Sequence, residues 1–595
     1  MFQSFDTSAD PSQGPDRLAR LRSVMRDNGI DAYIVPRTDR FQGEYIAPAD
    51  ECLSWLTGFT GSAGFCVVQH DQAAIFVDSR YRVQVKQQVC DSFTPMDWPE
   101  QRLVPHLLET LPRPARVAYD PWLHTVKEVH AWRNEFEPQR IRLLEADNLV
   151  HKIWPDRPAA PQAPVRPYPS ALAGVSSADK RAALARKLGK SGLDALFVPL
   201  CDNVAWLFNL RGNDIPRVPI FHSYAIVYSD GSADLIVDPH KLTDVPLDPD
   251  VRIVPLDRVE AHLKALTGTM RLDPSITPNQ VEILLRAGGA QIDHGTDFIT
   301  LEKACKSPAE ISATKTAHNI DACAMIEFLA QFAQQDPTQL TEIDVVRQLE
   351  NARRATGKLQ DISFDTISGS GPNAAIVHYR VTQHSNRALK KGEFLLIDSG
   401  GQYIEGTTDI TRTVALGPVT PEMQELYTRV LQGMIRVSML RFPQGTTGRD
   451  IDAFARASLW SQGHDYGHGT GHGVGAYLSV HEGPQRISKH SSIAFEPGMI
   501  LSNEPGYYRD GAFGIRIENL ILVQPHEFAK HSGPTFLSFD TLTYVPIDTG
   551  PIASGILSKT ERMWLNDYHS ACWTRYNGRV SPKARKWLAK VTQAI

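Results

Sequence analysis

Apolar residues near the start of the chain recur at helical spacing, with Leu18, Leu21 and Met25 on one face among Arg17, Arg20, Arg22 and Arg26. The pattern returns at Leu184 and Leu188, between Lys180, Arg181, Arg186 and Lys187. Such spacing predicts an amphipathic helix in both places. Each is followed by closely similar text, Gly29-Ile30-Asp31-Ala32-Tyr33-Ile34-Val35-Pro36 and Gly192-Leu193-Asp194-Ala195-Leu196-Phe197-Val198-Pro199. A Trp-Leu pair comes next in each copy, Trp55-Leu56 and Trp206-Leu207. Each copy closes on an apolar, strand-like run before an Asp, ending at Asp78 and Asp238. Two copies of one α/β unit are the reading, and two copies mean duplicated domains rather than a solenoid.

Between the copies, residues 154–170 (WPDRPAAPQAPVRPYPS) carry six prolines. Proline can continue neither a helix nor a central strand, so this segment reads as a linker. From about residue 301 the texture changes. Residues 307–334 form a long helical pattern with Pro308 and Glu310 in its first turn. Short alternating segments with Gly-rich turns follow. The expected organisation is two related α/β domains, 1–160 and 161–300, and an α+β domain, 301–595, that holds the chemistry.

Composition narrows the partners. The 595 residues are 42% hydrophobic and 22% charged, a globular balance that excludes disordered and fibrous classes. A net charge of −5 gives no strongly basic footprint, so no nucleic-acid partner is expected. The basic stretch at 575–590 reads as the solvated face of a C-terminal helix. Seven cysteines without a CxxC pair fit a reducing compartment better than a disulfide framework or zinc ribbon. The opening residues lack the basic and apolar regions of a signal peptide, and no run approaches the roughly 18 apolar residues of a membrane span. A cytoplasmic protein without a membrane partner is expected.

Some motifs fail on their mechanics. Gly189-Lys190-Ser191 has Leu184 where a phosphate loop needs Gly, and His481-Glu482 is followed by Gln485 where a zinc helix needs His. Gly369-Ser370-Gly371 is no nucleophile elbow, because no GxSxG occurs in the chain.

Carboxylates and histidines carry the chemistry. Asp398 ends the strand pattern Glu393-Phe394-Leu395-Leu396-Ile397-Asp398, and a second strand pattern runs on to Thr413, so Asp398 and Asp409 are expected on paired strands of a hairpin. A buried strand-end Asp is costly unless something satisfies it. In Gly467-His468-Gly469-Thr470-Gly471-His472-Gly473-Val474-Gly475, alternate glycines leave bare backbone beside two histidines. Glu504 ends the apolar run Met499-Ile500-Leu501-Ser502-Asn503-Glu504, and Glu518 is expected within an alternating strand, opposite Ile515 and Ile517. Each alone is commonplace. Four carboxylates in one pocket would repel one another, and two divalent cations would balance them. Oxygen ligands with one imidazole suit Mn²⁺, Co²⁺, Fe²⁺ or Zn²⁺, and paired metals activate water while polarising a carbonyl.

In this order, Asp398, Asp409, His472, Glu504 and Glu518 resemble the ligand set of the pita-bread metallopeptidases, which include methionine aminopeptidases, prolidases and aminopeptidase P. Residues 15–595 resemble the long, three-domain aminopeptidase P family. The shared motifs include Tyr45-Ile46-Ala47-Pro48, Gly61-Ser62-Ala63-Gly64, Asp78-Ser79-Arg80-Tyr81, the 465–473 run and Trp564-Leu565-Asn566-Asp567-Tyr568-His569. The resemblance implies two creatinase-like α/β domains followed by a pita-bread α+β catalytic domain. It implies two divalent ions, Mn²⁺ before Zn²⁺ or Co²⁺. Asp398 binds one ion, His472 and Glu504 the other, and Asp409 and Glu518 bridge.

The implied reaction is hydrolysis of the N-terminal Xaa-Pro bond of short peptides with proline second, by a hydroxide bridging the two ions. Glu504 shuttles a proton to the proline nitrogen, and His378 stabilises the oxyanion. His468 and His481 surround the scissile carbonyl and the proline, and Arg516 lies near the metals. A homodimer is implied. The alternatives are a prolidase-like dipeptidase, a non-catalytic pita-bread binding protein and a creatinase-type amidinohydrolase. Residues 161–300 and the Trp564 segment argue against the first, and the complete ligand set argues against the others.

Overall fold

The computed structural model describes residues 1–6, 9–528, 533 and 535–595. The chain divides into two compact units, Ser8–Lys303, and Met1–Thr7 with Ala304–Ile595.

In the first unit the duplication is explicit. The predicted helices are α1 (Gly14–Asp27) and α2 (Ser177–Lys190), burying Leu18, Leu21 and Met25 in one and Leu184 and Leu188 in the other. Both copies then turn on a left-handed glycine, Gly29 at φ +62° and Gly192 at φ +65°, a conformation L side chains rarely adopt. The first copy builds a sheet from β1 (Ala32–Pro36), β2 (Phe65–Gln69), β3 (Ala73–Val77), β4 (Thr94–Asp97), β5 (Ala115–Tyr119) and β6 (Ile141–Glu145). The second uses β7 (Ala195–Val198), β8 (Ser223–Tyr228), β9 (Ala233–Val237), β10 (Val251–Pro255), β11 (Thr269–Leu272) and β12 (Gln291–His294).

Strand order is β4-β3-β2-β1-β5-β6 in one sheet and β10-β9-β8-β7-β11-β12 in the other, the same path twice. In β1, Tyr33 and Val35 join one core and Ala32 and Ile34 the other. Burial on both faces explains why these strands read as unbroken apolar runs.

The second unit is built from two helix pairs, each backing a sheet. Helix α3 (Pro308–Phe332) begins at a capping box of Ser307 and Glu310. Helix α4 (Glu342–Arg354) begins at one of Thr341 and Asp344. Helices α5 (Pro421–Ser438) and α6 (Gly448–Trp460) repeat the arrangement, with a Thr447–Asp450 box opening α6. An isolated bridge ties Thr341 to Ala388 and another ties Thr447 to Ala494, at the same place in each half.

The first half carries the sheet β13 (Ile367–Ser370), β14 (Phe394–Ser399) and β15 (Ile410–Ala415). The second half starts with β16 (Arg441–Pro443), β17 (Gly471–Gly473), β18 (Glu482–Ile487) and β19 (Ile500–Asn503). It continues through the hairpin β20 (Gly506–Arg509) and β21 (Phe513–Arg516) to β22 (Asn519–His526) and β23 (Phe536–Thr541). Its large sheet runs β16-β23-β22-β19-β17-β18.

The basic C-terminal stretch belongs to two helices, α7 (Lys559–Tyr576) and α8 (Pro582–Val591), where one was expected. Ser581 caps α8 ahead of Pro582, which can open a helix but not continue one. Among the described residues no helix is long and apolar enough to cross a membrane.

Candidate metal centre

The two halves of the second unit each contribute carboxylates to one buried cluster. Asp398 is the penultimate residue of strand β14 and faces Thr411 of β15 in an antiparallel pair. Asp409 stands one residue before β15 rather than inside a paired strand. The intervening chain explains this. Residues Gly401–Tyr403 leave to pair with Leu359–Ile362 on one side and with Gly406–Thr407 on the other, so the expected simple hairpin is interrupted.

The other half brings His472 from β17, Glu504 directly after β19 and Glu518 between β21 and β22. Glu518 therefore does not lie within a strand, and it is as buried as Ile515 and Ile517. Gly471 is required beside His472, because a Cβ there would sit 1.9 Å from the Ser502 carbonyl oxygen. That close approach lets β17 lie against β19 and sets His472 beside Glu504. The Glu504 N–H donates to the Thr470 carbonyl at 2.8 Å.

Ligand atoms of Asp409, His472 and Glu518 lie within 4.8 Å of one another. His472 Nε2 is 3.5 Å from Asp409 Oδ2 and 3.6 Å from Glu504 Oε1. Its Nδ1 donates to the Gly473 carbonyl at 2.9 Å. Burial, with His481 close by, holds the imidazole pKa down to about 4, so at neutral pH Nε2 presents a lone pair to two carboxylates.

Burial and the neighbouring carboxylates push Asp409 and Glu518 well above the usual carboxylate range. Burial also raises Glu504, against the pull of His472 and Arg516. Asp398 Oδ1, Asp409 Oδ1 and Glu518 Oε1 are buried with no hydrogen-bond partner. Orphaned carboxylate oxygens converging on an imidazole lone pair are what divalent cations satisfy, and the donor set matches hard to borderline metals.

The remaining hydrogen bonds orient these groups. Arg516 Nη2 donates to Asp398 Oδ2 at 2.6 Å, Nη1 to Tyr508 Oη at 2.6 Å and Nε to Thr411 Oγ1 at 3.3 Å. Thr411 Oγ1 in turn donates to Glu518 Oε2 at 2.8 Å. His468 Nδ1 donates to the Gly469 carbonyl at 2.7 Å, and Nε2 lies 2.9 Å from Tyr508 Oη. A neutral His468 therefore accepts the tyrosine proton at Nε2. Arg456 of α6 fixes this loop through the carbonyls of Tyr466 and His468, each at 2.7 Å. Deep beneath, Arg412 donates to the Glu518 carbonyl at 2.6 Å and to the Val545 carbonyl and Tyr568 Oη, which ties the Trp564 segment to the site.

Of the other predicted residues, His481 packs edge-on against His472 with ring centroids 4.3 Å apart. His378 occupies the half-buried turn after the 3-10 helix Gly371–Ala375. Tyr508, Thr411 and Arg412 are not flagged by the sequence. The one available signal was their position beside named residues, Tyr508 in the strand paired with that of Arg516, and Thr411 and Arg412 just after Asp409.

The class of protein follows from matches to family models. Residues 312–525 match metallopeptidase family M24, and residues 535–595 the C-terminal region of peptidase M24. Residues 17–153 and 156–310 each match a Creatinase/Prolidase N-terminal domain. The probable Xaa-Pro aminopeptidase P of Talaromyces marneffei is 36% identical over 610 residues, spanning 98% of this chain and 92% of that protein. That of Ajellomyces dermatitidis is 36% identical over 617 residues, spanning 98% and 100%. The crystal structure of the X-prolyl aminopeptidase from Caenorhabditis elegans, titled a cytosolic enzyme with a di-nuclear active site, superposes with a TM-score of 0.92. Its identity is 30%, over 98% of this chain and all of that one. The chain belongs to metallopeptidase family M24, alongside the Xaa-Pro aminopeptidase P proteins.

Proposed function

We propose that this metallopeptidase removes the N-terminal residue from short peptides with proline second, using two divalent ions held by Asp398, Asp409, His472, Glu504 and Glu518. The observation that carries this is the set of three partnerless buried carboxylate oxygens beside the His472 lone pair. The full-length likeness to Xaa-Pro aminopeptidase P proteins supports the substrate class. Mn²⁺ is the expected ion, with Zn²⁺ or Co²⁺ as substitutes. A cytoplasmic homodimer divided at 1–160, 161–300 and 301–595 completes the reading.

When bound, the two ions supply Lewis-acid activation of water and of the scissile carbonyl. The chain supplies the rest. Glu504, held by one long hydrogen bond from Ser502 Oγ at 3.3 Å, is able to take a proton from water and deliver it to the departing proline nitrogen. An amide anion is a poor leaving group, so a positioned acid is worth about 10²–10⁴-fold. His378 donates to the developing oxyanion. His481 and His468 border the carbonyl and the proline ring, the latter in the tautomer that Tyr508 selects. Proline lacks an amide N–H, so a site that demands no such donor fits it.

The test is product release from Xaa-Pro-Yaa, Xaa-Pro and Xaa-Ala-Yaa peptides by chelator-stripped protein before and after Mn²⁺. Metal-dependent release of Xaa from the proline tripeptide alone is expected. Cleavage of the dipeptide alone makes the protein a prolidase, and no cleavage with metal bound makes it a binding module.

A further inference from the structure

Residues 2–6 pack on the second unit, far in sequence from every catalytic candidate. The Phe2 N–H donates to Glu350 Oε1 of α4 at 2.8 Å. The Gln3 amide makes a two-way pair with the Thr366 backbone, Nε2 donating to its carbonyl at 3.2 Å and Oε1 accepting from its N–H at 2.8 Å. Further along, the Phe5 carbonyl accepts from the Gln383 N–H at 2.8 Å, and the Ser4 carbonyl accepts from Arg380 Nη2 at 3.2 Å.

These contacts fall on both sides of His378. Thr366 leads into β13, and Arg380 and Gln383 follow the histidine. Phe5 is buried in one apolar cluster with Tyr379, Val381, Ile367 and Leu396, against which Ile376 and Tyr508 also pack. Ile376 and Tyr379 flank His378. Ile367 is the register partner of Asp398, and Leu396 lies two residues before it.

The loop from 371 to 385 has little regular structure after its 3-10 turn. From within, Glu342 of α4 holds it by accepting from Asn373 Nδ2 at 3.0 Å and Tyr379 Oη at 2.9 Å. On its other flank, residues 4 and 5 meet Gln383 and Arg380, and Arg380 Nε also donates to Asp365 Oδ2 at 3.1 Å. A side chain that must meet a developing charge gains from such bracing, since a misplacement of about 1 Å costs on the order of 10²-fold in rate.

We propose that residues 2–6 form a strap that positions His378 for the reaction, with Phe5 as its anchor. This rests on the oxyanion role given to His378 above. The experiment is a double-mutant cycle on the metal-loaded full chain, comparing wild type, Phe5→Ala, His378→Ala and the double variant with an Xaa-Pro-Yaa peptide. Phe5→Ala is expected to lower kcat roughly tenfold with KM and bound metal little changed, and Phe5→Leu to restore most of it. In the His378→Ala background the Phe5→Ala effect is expected to vanish. Equal Phe5→Ala losses in both backgrounds would show a merely structural contribution and overturn the strap. An unchanged His378→Ala rate would instead overturn the role of His378. Should Phe5→Ala fail to fold, Gln3→Ala replaces it in the cycle, since it removes two hydrogen bonds without emptying the core. A folded Gln3→Ala with wild-type kcat overturns the proposal.

Discussion

His472 Nε2 and Asp409 Oδ2 face each other at 3.5 Å as two acceptors, because the only ring proton of neutral His472 is committed to the Gly473 carbonyl. Such a pair is unfavourable unless a metal cation or an acquired proton stands between its members, and burial with the neighbouring carboxylates raises the pKa of Asp409 in that direction. Metal-free and metal-loaded protein should therefore respond oppositely to loss of a charge here. Asp409→Asn removes one of the crowded carboxylates, so the chelator-stripped variant should melt on the order of 2 °C above stripped wild type. The same variant should take up fewer ions and lose at least 10²-fold in kcat/KM. Calorimetry with and without Mn²⁺, beside metal analysis, checks both signs. A stripped variant that melts lower would mean that the carboxylates are not in conflict.

Arg516 is asked to satisfy three acceptors at once, in Asp398, Tyr508 and Thr411. A lysine can supply a point charge but not the planar fork. Arg516→Lys is expected to keep the fold and lower kcat about 10–100-fold through misoriented Asp398, with weaker metal retention in a chelator titration. Arg516→Ala, which leaves the 8%-exposed Asp398 without its cation, should cost about 3–5 kcal/mol in metal-free stability. Equal metal retention by Arg516→Lys and wild type would remove Arg516 from the metal centre.

Tyr508→Phe keeps the ring and deletes the hydroxyl that joins His468 to Arg516. The loss should be about 1–3 kcal/mol, because buried Arg516 Nη1 and His468 Nε2 both lose the tyrosine hydroxyl. Nitrogen NMR of the histidines provides the specific readout. His468 should be the Nδ1-protonated tautomer in wild type and should lose that preference in the variant. A wild-type spectrum showing Nε2 protonated would reverse the assigned direction of the hydrogen bond.

Sequence carried the site further than its surroundings. Asp398, His472 and Glu504 were legible because each ends an apolar run or sits in a Gly-rich run, where a polar side chain needs a reason. Glu518 stands out too, but the pattern sets it in a strand, because the alternation through Ile515 and Ile517 continues past the break between β21 and β22. Tyr508 and Arg412 were invisible for a different cause. Their partners lie far off in the chain, and Arg412 reaches Tyr568 across 156 positions. Periodicity reports which face is buried, not which distant group a buried polar atom meets. The duplicated sheets of the first unit were readable because a repeated sequence requires only that one copy be recognised in the other. The docking of residues 2–6 on the second unit has no such echo.

Acid should release the loop that carries His468. Asp465 accepts from Arg456 Nη1 at 2.7 Å and from Lys489 Nζ at 2.8 Å. Partial burial alone would raise its pKa, but the hydrogen bonds from Lys489 and Arg456 hold it down to about 2. The unfolded chain binds this proton first as pH falls, since its carboxyl titrates near 3.9 (a value of about 4 for any free Asp). The contribution is therefore complete above about pH 4 and is lost between about pH 4 and 2. The side chain is 39% exposed, so solvent screening limits the effect to about 1 kcal/mol or less. Asp465→Asn should be less stable than wild type at pH 5, and the gap should close by pH 2. Urea unfolding followed across that window, in metal-free protein so that ligand titration is common to both, measures the gap directly. A difference that holds constant from pH 5 to 2 would show that the ionised carboxylate does not secure the loop.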